Sequence, residues 1–257
     1  LHAPSGFDPE ITGQVLSGLM AHHDALRIIY KRDGENVVQY NRGLEAAEVQ
    51  PEVIHLHQSG AELEASILEE ANRIQSSIDL SQGHLLKAAI FKIGQGDHLL
   101  IVIHHLVVDG VSWRILLEDF AAGYQQAAKN QDIVLPDKTD SFKDWAEELA
   151  VYAQSEQFLK TCGYWRELEK ERVPALPKDR IVSERKTKDT AAAKFELTEE
   201  ETRLLLTKVH EPYGTDINDI LLSALSLTIR EWTNQSGVCI NMEGHGREEI
   251  MPHMNIS

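Results

Sequence analysis

The amino-acid sequence predicts an α/β fold in which helices pack on mixed sheets. Apolar residues recur at helical spacing in several segments, as at Ile11, Val15 and Leu19. Other apolar runs are short and are separated by turn residues, which is the pattern of strands joined in hairpins. The two kinds of segment mix along all 257 residues without internal repeats, so we expect an α/β sandwich.

The start of the chain favours a helix followed by a two-stranded hairpin. Residues 10–22 have helical spacing, and the apolar run at residues 25–30 is strand-like. Asp33 and Gly34 form a turn pair that supplies the positive φ values a two-residue hairpin needs. The sequence therefore predicts that residues 37–40 return as the second strand.

A second helix is predicted over residues 61–76, and a second hairpin follows it. Its strands, residues 85–93 and 99–105, are separated by a turn that contains two glycines. The later strand is apolar without alternation, so we expect it to be buried on both faces of its sheet. It ends on two histidines, His104 and His105.

Helices dominate the segments after this hairpin. Three of them have helical spacing, residues 111–129, 142–154 and 156–170. Residues 171–189 then hold two prolines, many charges and little periodicity, which is typical of an exposed connection between lobes. We therefore expect a first lobe over residues 1–175 and the beginning of a second lobe over residues 190–257.

The second lobe is predicted to mix both kinds of element. Its predicted strands are residues 193–197 and 238–242, and its predicted helices are residues 198–210 and 217–232. The last strand runs directly into the segment Glu-Gly-His-Gly-Arg-Glu at residues 243–248.

The charge balance excludes one class of partner. Lys and Arg number 25 and Asp and Glu number 41, so the net charge is −16 with histidine neutral. A field of this sign repels phosphate backbones, and we expect no nucleic-acid partner. No run of about 18 apolar residues predicts a membrane span, and Cys162 and Cys239 have neither metal-ligand spacing nor disulfide density. The chain opens on Leu1 like an interior cut of a longer polypeptide, and we expect a cytoplasmic protein.

The most informative stretch is the run from His104 to Trp113, where a strand gives way to a loop and then a helix. Such strand ends display reactive side chains, and the ordinary pKa of histidine suits proton transfer near neutral pH. Two other interpretations of the histidine pair are satisfied structural residues and metal ligation. Metal ligation is disfavoured because successive strand residues point to opposite faces, so one ion could not readily take both rings. Asp109, in the loop, is predicted to pair with a buried arginine, for which Arg27 is the candidate.

The segment from His104 to Gly110 resembles the HHxxxDG motif of the condensation-domain superfamily of nonribosomal peptide synthetases. The fold of that superfamily is similar to chloramphenicol acetyltransferase, which implies a two-lobed sandwich. Its second histidine is catalytic and its aspartate structural, and the resemblance carries these roles over to His105 and Asp109. The family's arginine carries over to Arg27.

A second resemblance concerns one branch of this superfamily. Residues 243–248 are similar to the EGHGRE signature of epimerization domains, and the extension Val111-Ser112-Trp113 also resembles that branch. Weaker similarities lie at residues 138–142 and 218–222. An incomplete dinucleotide loop is disfavoured because no third glycine follows at the required spacing, whereas a simple tight turn remains the alternative. The supporting residues of the predicted site are His104, Gly110, Trp113, His245 and Arg247, beside Arg27 and Asp109.

The resemblance implies a cofactor-independent epimerase, an isomerase that inverts the α-carbon of an aminoacyl or peptidyl thioester from L to D. The substrate would be presented on the 4'-phosphopantetheine arm of a carrier protein, and neither a metal nor a cofactor-binding residue is implied in this domain. Inversion needs proton transfer at both faces of one carbon, and His105 and Glu243 are predicted to supply it across a cleft between the lobes.

The implied partners are an upstream peptidyl carrier domain and adenylation domain in the same polypeptide, and a downstream condensation domain. The family's opening motif should precede Leu1 and a further motif should follow Ser257, so the second lobe is expected to be incomplete. Three other functions are alternatives. They are a condensation domain that forms peptide bonds, a non-catalytic module that docks carrier proteins, and a pyridoxal-phosphate racemase, for which no persuasive lysine and phosphate-loop motif is visible.

Overall fold

The computed structural model describes residues 1–170, 173–181, 184, 186 and 189–256. It divides into two compact units. The first unit holds residues 1–155 together with the segment from Gly244 onward, and the second holds Glu156–Glu243. Part of the predicted lobe connection at residues 171–189 lies outside the described residues, as does Ser257. The two lobes at residues 1–175 and 190–257 stay a prediction.

Helices and strands mix along the described residues, as predicted. The α-helices are α1 (Pro9–His22), α2 (Gly60–Ser76), α3 (Gly110–Ala127), α4 (Phe142–Tyr152), α5 (Glu156–Lys170), α6 (Glu199–Thr207) and α7 (Ile217–Thr233). The strands are β1 (His2–Ala3), β2 (Ile28–Asp33), β3 (Asn36–Asn41), β4 (Glu52–His55), β5 (Leu86–Ile93) and β6 (Gly96–Ile103).

The main sheet of the first unit has the strand order β1-β6-β5-β4. β5 runs antiparallel to β6 and parallel to β4, so the sheet is mixed. The β5–β6 hairpin pairs Ile93 with Gly96 and leaves a two-residue turn, in agreement with the predicted position. β2 and β3 form a separate hairpin in which Gly34 has a φ of 62° at the turn. The central pair of this turn is therefore Gly34 and Glu35, because Asp33 still pairs with Asn36.

Helices cover both faces of the main sheet. Ile90 of β5 belongs to a core that also contains Leu16 of α1 and Phe120 of α3. Phe91, its neighbour, points to the opposite face and packs in a smaller cluster with Ile74 of α2. Because successive strand residues alternate in direction, β5 is buried on both sides. The same burial was predicted for residues 99–103 of β6, and both faces of this strand are covered. Leu99, Ile101 and Ile103 pack in or against the main core, and Leu100 and Val102 pack against the smaller cluster, although only Leu99 is fully buried.

The segment before β2 departs from the predicted strand at residues 25–30. Asp24–Arg27 form a 3-10 turn, and the strand begins only at Ile28. Arg27 is 7% exposed, and its guanidinium donates to the carbonyl of Met20 and, at 2.8 Å, to that of Ala21. These carbonyls belong to the last turn of α1, where backbone carbonyls lack partners within the helix. The arginine donates hydrogen bonds to them, and its positive charge is attracted to the negative end of the helix dipole. The short turn places Arg27 for this contact.

The second unit contains α5, α6 and α7. Thr198 and Glu201 form a capping box that fixes the start of α6, and Asp216 and Asp219 do the same for α7. Residues 193–197 and 238–242 were predicted to be strands, and both predictions are wrong. A strand needs a neighbour that accepts its ladder of hydrogen bonds, and none pairs with these residues in the described part of the chain. No helix in that part is long and apolar enough to cross a membrane.

Candidate active site

The histidine loop begins where β6 ends at Ile103. The His104 N–H donates to the Leu85 carbonyl at 2.9 Å, and the Val107 N–H donates back to the His104 carbonyl at 3.0 Å. Val107 and Val108 are buried in the main core. The loop is thus closed by backbone hydrogen bonds at one end and anchored by apolar side chains at the other.

The two histidines of this loop have different surroundings. The His104 ring is half-buried, and its Nδ1 accepts a hydrogen bond of 3.2 Å from the Leu106 N–H. The His105 side chain is exposed and lines a cleft of the first unit. His104 therefore contributes to the loop's own structure, while His105 faces the space where a ligand could bind.

Asp109 fixes the junction between the histidine loop and α3. It is the N-cap of this helix, and its Oδ1 accepts 2.7 Å hydrogen bonds from both the N–H and the hydroxyl of Ser112. A carboxylate at this position satisfies orphan amides and complements the positive end of the helix dipole. Gly110 is the first helical residue, and a Cβ added there would meet open space. Trp113 packs against the main core.

The arginine that binds Asp109 is Arg247, and the predicted Arg27–Asp109 pair is wrong. Arg247 Nη2 lies 3.3 Å and 3.4 Å from the two carboxylate oxygens of Asp109 and donates to Ser112 Oγ at 2.9 Å. Arg27 pairs instead with Asp24 at 2.6 Å. Its other hydrogen bonds go to backbone carbonyls, including those at the end of α1. Arg27 therefore connects α1 to the 3-10 turn, whereas Arg247 is the arginine that contacts the histidine loop.

The pKa of Asp109 reflects this environment. Burial alone raises the pKa of the carboxyl, but the hydrogen bonds from Ser112 and the charge of Arg247 outweigh it and bring the pKa below its ordinary value. Asp109 is therefore a fixed anion that organises the site, which suits the structural role that the resemblance implies.

The cleft that His105 lines has a volume of about 730 Å³. This lies within the range of roughly 300–1,000 Å³ that is typical of small-molecule sites. Of the predicted site residues, it brings together His105, Asp109, His245 and Arg247. The Arg247 N–H donates to His245 Nδ1 at 3.0 Å, and Gly246 between them has a φ of 73°. Glu243 is an exposed residue at the end of the second unit.

Three further polar contacts at this cleft were missed by the sequence analysis. His23 Nε2 lies 2.8 Å from Oδ2 of Asp119, a buried residue of α3. Lys138 donates to Asp24 at 3.1 Å, and Ser112 completes the Asp109 network. Only Ser112 had a signal in the sequence, since a serine three residues after an N-cap aspartate can donate to it.

The pKa of His23 lies below its ordinary value. Burial is the largest cause, and the positive charges of His22 and Lys138 act in the same direction, while Asp119 opposes them. His23 is therefore neutral near pH 7 and one of its ring nitrogens donates to the Asp119 carboxylate. In the part of the chain that the structure describes, no three His, Cys, Asp or Glu side chains converge where they could hold a metal ion.

A mixed sheet covered by helices on both faces, with a histidine loop at the end of a strand, defines a chloramphenicol-acetyltransferase-like fold. Solved structures agree with this class. The first condensation domain of the calcium-dependent antibiotic synthetase is 20% identical and has a TM-score of 0.61 over 91% of this chain and 54% of its own. At this identity the likeness concerns the fold alone.

The chain belongs to the Condensation domain family, which matches residues 1–257. It is 55% identical over 258 residues to surfactin synthase subunit 1 of Bacillus subtilis (strain 168) and 48% identical over 259 residues to gramicidin S synthase 1 of Brevibacillus brevis. Both alignments include 100% of this chain, which spans 7% of the first protein and 23% of the second. The crystal structure of the epimerization domain from the third module of tyrocidine synthetase B is 46% identical, with a TM-score of 0.90, and the match covers 100% of this chain and 58% of that one.

Proposed function

We propose that this chain epimerises the α-carbon of an aminoacyl or peptidyl thioester held on the phosphopantetheine arm of a carrier protein. The observation that carries the proposal is the ion pair between Asp109 and Arg247, because it joins the histidine loop to the EGHGRE segment at one cleft. Epimerization domains combine these two motifs, and the likeness to the tyrocidine synthetase epimerization domain supports the same conclusion.

The proposed reaction is a proton exchange at carbon. A thioester acidifies its α-hydrogen because sulfur donates poorly into the carbonyl. A base removes that proton, the electron pair of the C–H bond forms the enolate, and an acid returns a proton to the opposite face. No electrons are lost or gained overall, so the reaction needs no oxidant or reductant and we propose that it needs no cofactor.

His105 and Glu243 are the two groups that we propose for these transfers. His105 is exposed to the cleft, and Glu243 stands two residues before His245 in the chain. The amides that begin α3 near Gly110 are proposed donors to the enolate oxygen, because unpaired N–H groups at a helix start stabilise negative charge.

The partners are proposed from the relatives. The chain spans 7–23% of the synthases named above, which are long polypeptides. We propose a carrier domain and an adenylation domain before this chain and a condensation domain after it. Peptide-bond formation is the alternative reaction, since the family as a whole is named for condensation.

The test uses the full-length protein that carries this chain, with its carrier loaded with an L-aminoacyl thioester in deuterated water. We expect conversion to the D-form with solvent deuterium at the α-carbon. His105→Ala should lower the rate at least ~100-fold, the scale of general acid–base catalysis, while folded His104→Ala keeps measurable activity. Peptide-bond formation without α-deuterium would contradict the proposal, and equal, complete loss in both folded variants would contradict the separate histidine roles.

A further inference from the structure

Leu106, the residue after His105, has both its backbone N–H and its backbone carbonyl engaged in hydrogen bonds. The Leu106 N–H donates to His104 Nδ1 at 3.2 Å, and the Leu106 carbonyl accepts a hydrogen bond of 3.0 Å from the hydroxyl of Tyr30. Tyr30 and Leu106 are 76 residues apart in the sequence. A residue whose backbone donor and acceptor are both engaged has little freedom to rotate its peptide planes.

Tyr30 is itself firmly placed. It lies in β2, where it pairs with Gln39 of β3, and its backbone N–H donates to the Leu80 carbonyl at 2.8 Å. Its side chain is half-buried beside the main core, and burial raises the pKa of the phenol. The hydroxyl therefore stays protonated and remains a donor throughout the neutral and moderately alkaline range.

The His105 ring has no such support. Within residues 1–170, 173–181, 184, 186 and 189–256, no hydrogen bond to its nitrogens is present, and the side chain is exposed. Its direction therefore depends on the backbone that carries it. That backbone is fixed before His105 by the His104–Leu85 hydrogen bond and after it at Leu106.

We infer that Tyr30 is a positioning residue for His105, because its hydroxyl clamps the Leu106 carbonyl and so sets the angle at which the His105 ring meets the substrate. The inference rests on the proposed function, in which His105 transfers a proton. General acid–base catalysis requires the transferring atom within about 2.6–3.2 Å of its partner, so a loosened loop lowers the fraction of productive encounters.

The decisive variant is Tyr30→Phe in the full-length protein, which removes one hydroxyl and keeps the ring. Loss of this one hydrogen bond predicts a fall in kcat of roughly 2- to 12-fold, with KM for the loaded carrier unchanged. Tyr40→Phe is the matched control, because Tyr40 lies on β3 of the same hairpin with 49% of its surface exposed. Replacing Tyr30 by 4-aminophenylalanine, which restores a donor at the same place, should recover most of the lost rate.

A second measurement separates this inference from the proposed function. Amide hydrogen exchange of the peptide that spans residues 104–108, read by mass spectrometry, should become faster in Tyr30→Phe and stay unchanged in Tyr40→Phe. A parent protein that does not epimerise overturns the proposed function, whatever the exchange shows. If the parent epimerises but Tyr30→Phe retains full kcat and parental exchange, the clamp does not exist.

Discussion

Asp109 combines two contacts that act on different parts of the site. Its carboxylate caps α3 through Ser112, and it also binds Arg247 of the EGHGRE segment. The capping contact is local, whereas Asp109 and Arg247 are 138 residues apart in the sequence. One side chain thus connects the start of a helix to a loop that arrives from the far end of the chain.

We expect Asp109→Ala to destabilise the first unit by about 1–2 kcal/mol, the usual loss for an N-cap with a small addition from a partly exposed ion pair. The side chain is 40% exposed, so the larger penalty of a fully buried pair does not apply. Arg247→Met should lose less, under about 1 kcal/mol, because it leaves the cap intact. Denaturant unfolding monitored by a probe in this unit measures both values.

The matched control is Asp33→Ala, which removes an exposed carboxylate from the β2–β3 hairpin. A double-mutant cycle between Asp109 and Arg247 then isolates their interaction. If Asp109→Ala is no worse than Arg247→Met, the capping role assigned to Asp109 is wrong.

The residues of the histidine loop could be predicted from sequence because the motif is local. His104, His105 and Asp109 lie within six positions of each other, and a strand end followed by a helix fixes their order in space. The partner of Asp109 could not be found this way. Arg27 and Arg247 were equally able to pair by charge, and only the three-dimensional path of the chain decides between them.

At the scale of elements, the contact between α1 and α3 forms one wall of the site. His23, the C-cap residue of α1, contacts the buried Asp119 of α3. Both residues line the cleft that contains His105. The charge state of this pair therefore affects how the two helices are held together.

This contact predicts a pH dependence of stability. Because burial lowers the pKa of His23 in the folded state, the unfolded chain binds its proton more readily than the folded chain. The contribution of His23 to the free energy of unfolding is complete above its pKa in the unfolded chain, near 6.5. This contribution is lost as the pH falls through the pKa of His23 in the folded protein. We expect the parent protein to lose more unfolding free energy between pH 7 and pH 5 than His23→Gln.

The control for this measurement is His57→Gln, which changes an exposed histidine in the loop before α2. Its pH profile should follow that of the parent protein. A His23→Gln profile that also coincides with the parent would show that His23 is not responsible for the acid sensitivity.

Elements with a strong local signal were predicted well. The spacing of Ile11, Val15 and Leu19 placed α1 within one residue of its observed start, and the glycine turn at residues 94–96 placed the β5–β6 hairpin. β4 was missed because it is four residues long and pairs in parallel with β5, which no local pattern indicates. The two strands predicted in the second unit have a local apolar pattern but, among the described residues, no neighbouring strand to pair with. Phe195, in the first of these segments, is 89% exposed, so apolar character alone did not produce a paired strand.

At the scale of the whole molecule, the local motifs and the match over the whole chain lead to the same family. Two short motifs predicted it, and the family match extends over residues 1–257. The backbone has a TM-score of 0.90 to an epimerization domain that is 46% identical. We propose that the chemistry that distinguishes the branches centres on Glu243.

The proposed roles of His105 and Glu243 predict an isotopic asymmetry. His105 and Glu243 are about 140 positions apart in the sequence, so distant parts of the chain contribute the two proposed groups. If each acts on one face of the α-carbon, the proton that leaves and the proton that returns are held by different groups. Starting from either enantiomer in deuterated water, we then expect solvent deuterium mainly in the product enantiomer at early times. A single base acting on both faces would return part of the original hydrogen to the product.

Glu243→Gln should make this asymmetry visible, because the amide keeps the shape of the side chain and removes its ability to cycle a proton. Inversion should fall at least ~100-fold in both directions, the scale of general acid–base catalysis. Exchange of the α-hydrogen should fall strongly from one enantiomer and be retained to a greater extent from the other, whose proton the remaining base removes. Glu249→Gln is the matched control, since Glu249 is exposed and lies outside the EGHGRE segment. If Glu243→Gln instead keeps the parental rates from both enantiomers, Glu243 is a turn residue without a catalytic role. The assignment to epimerization would then depend only on the remaining motif residues and on deuterium incorporation by the parent protein.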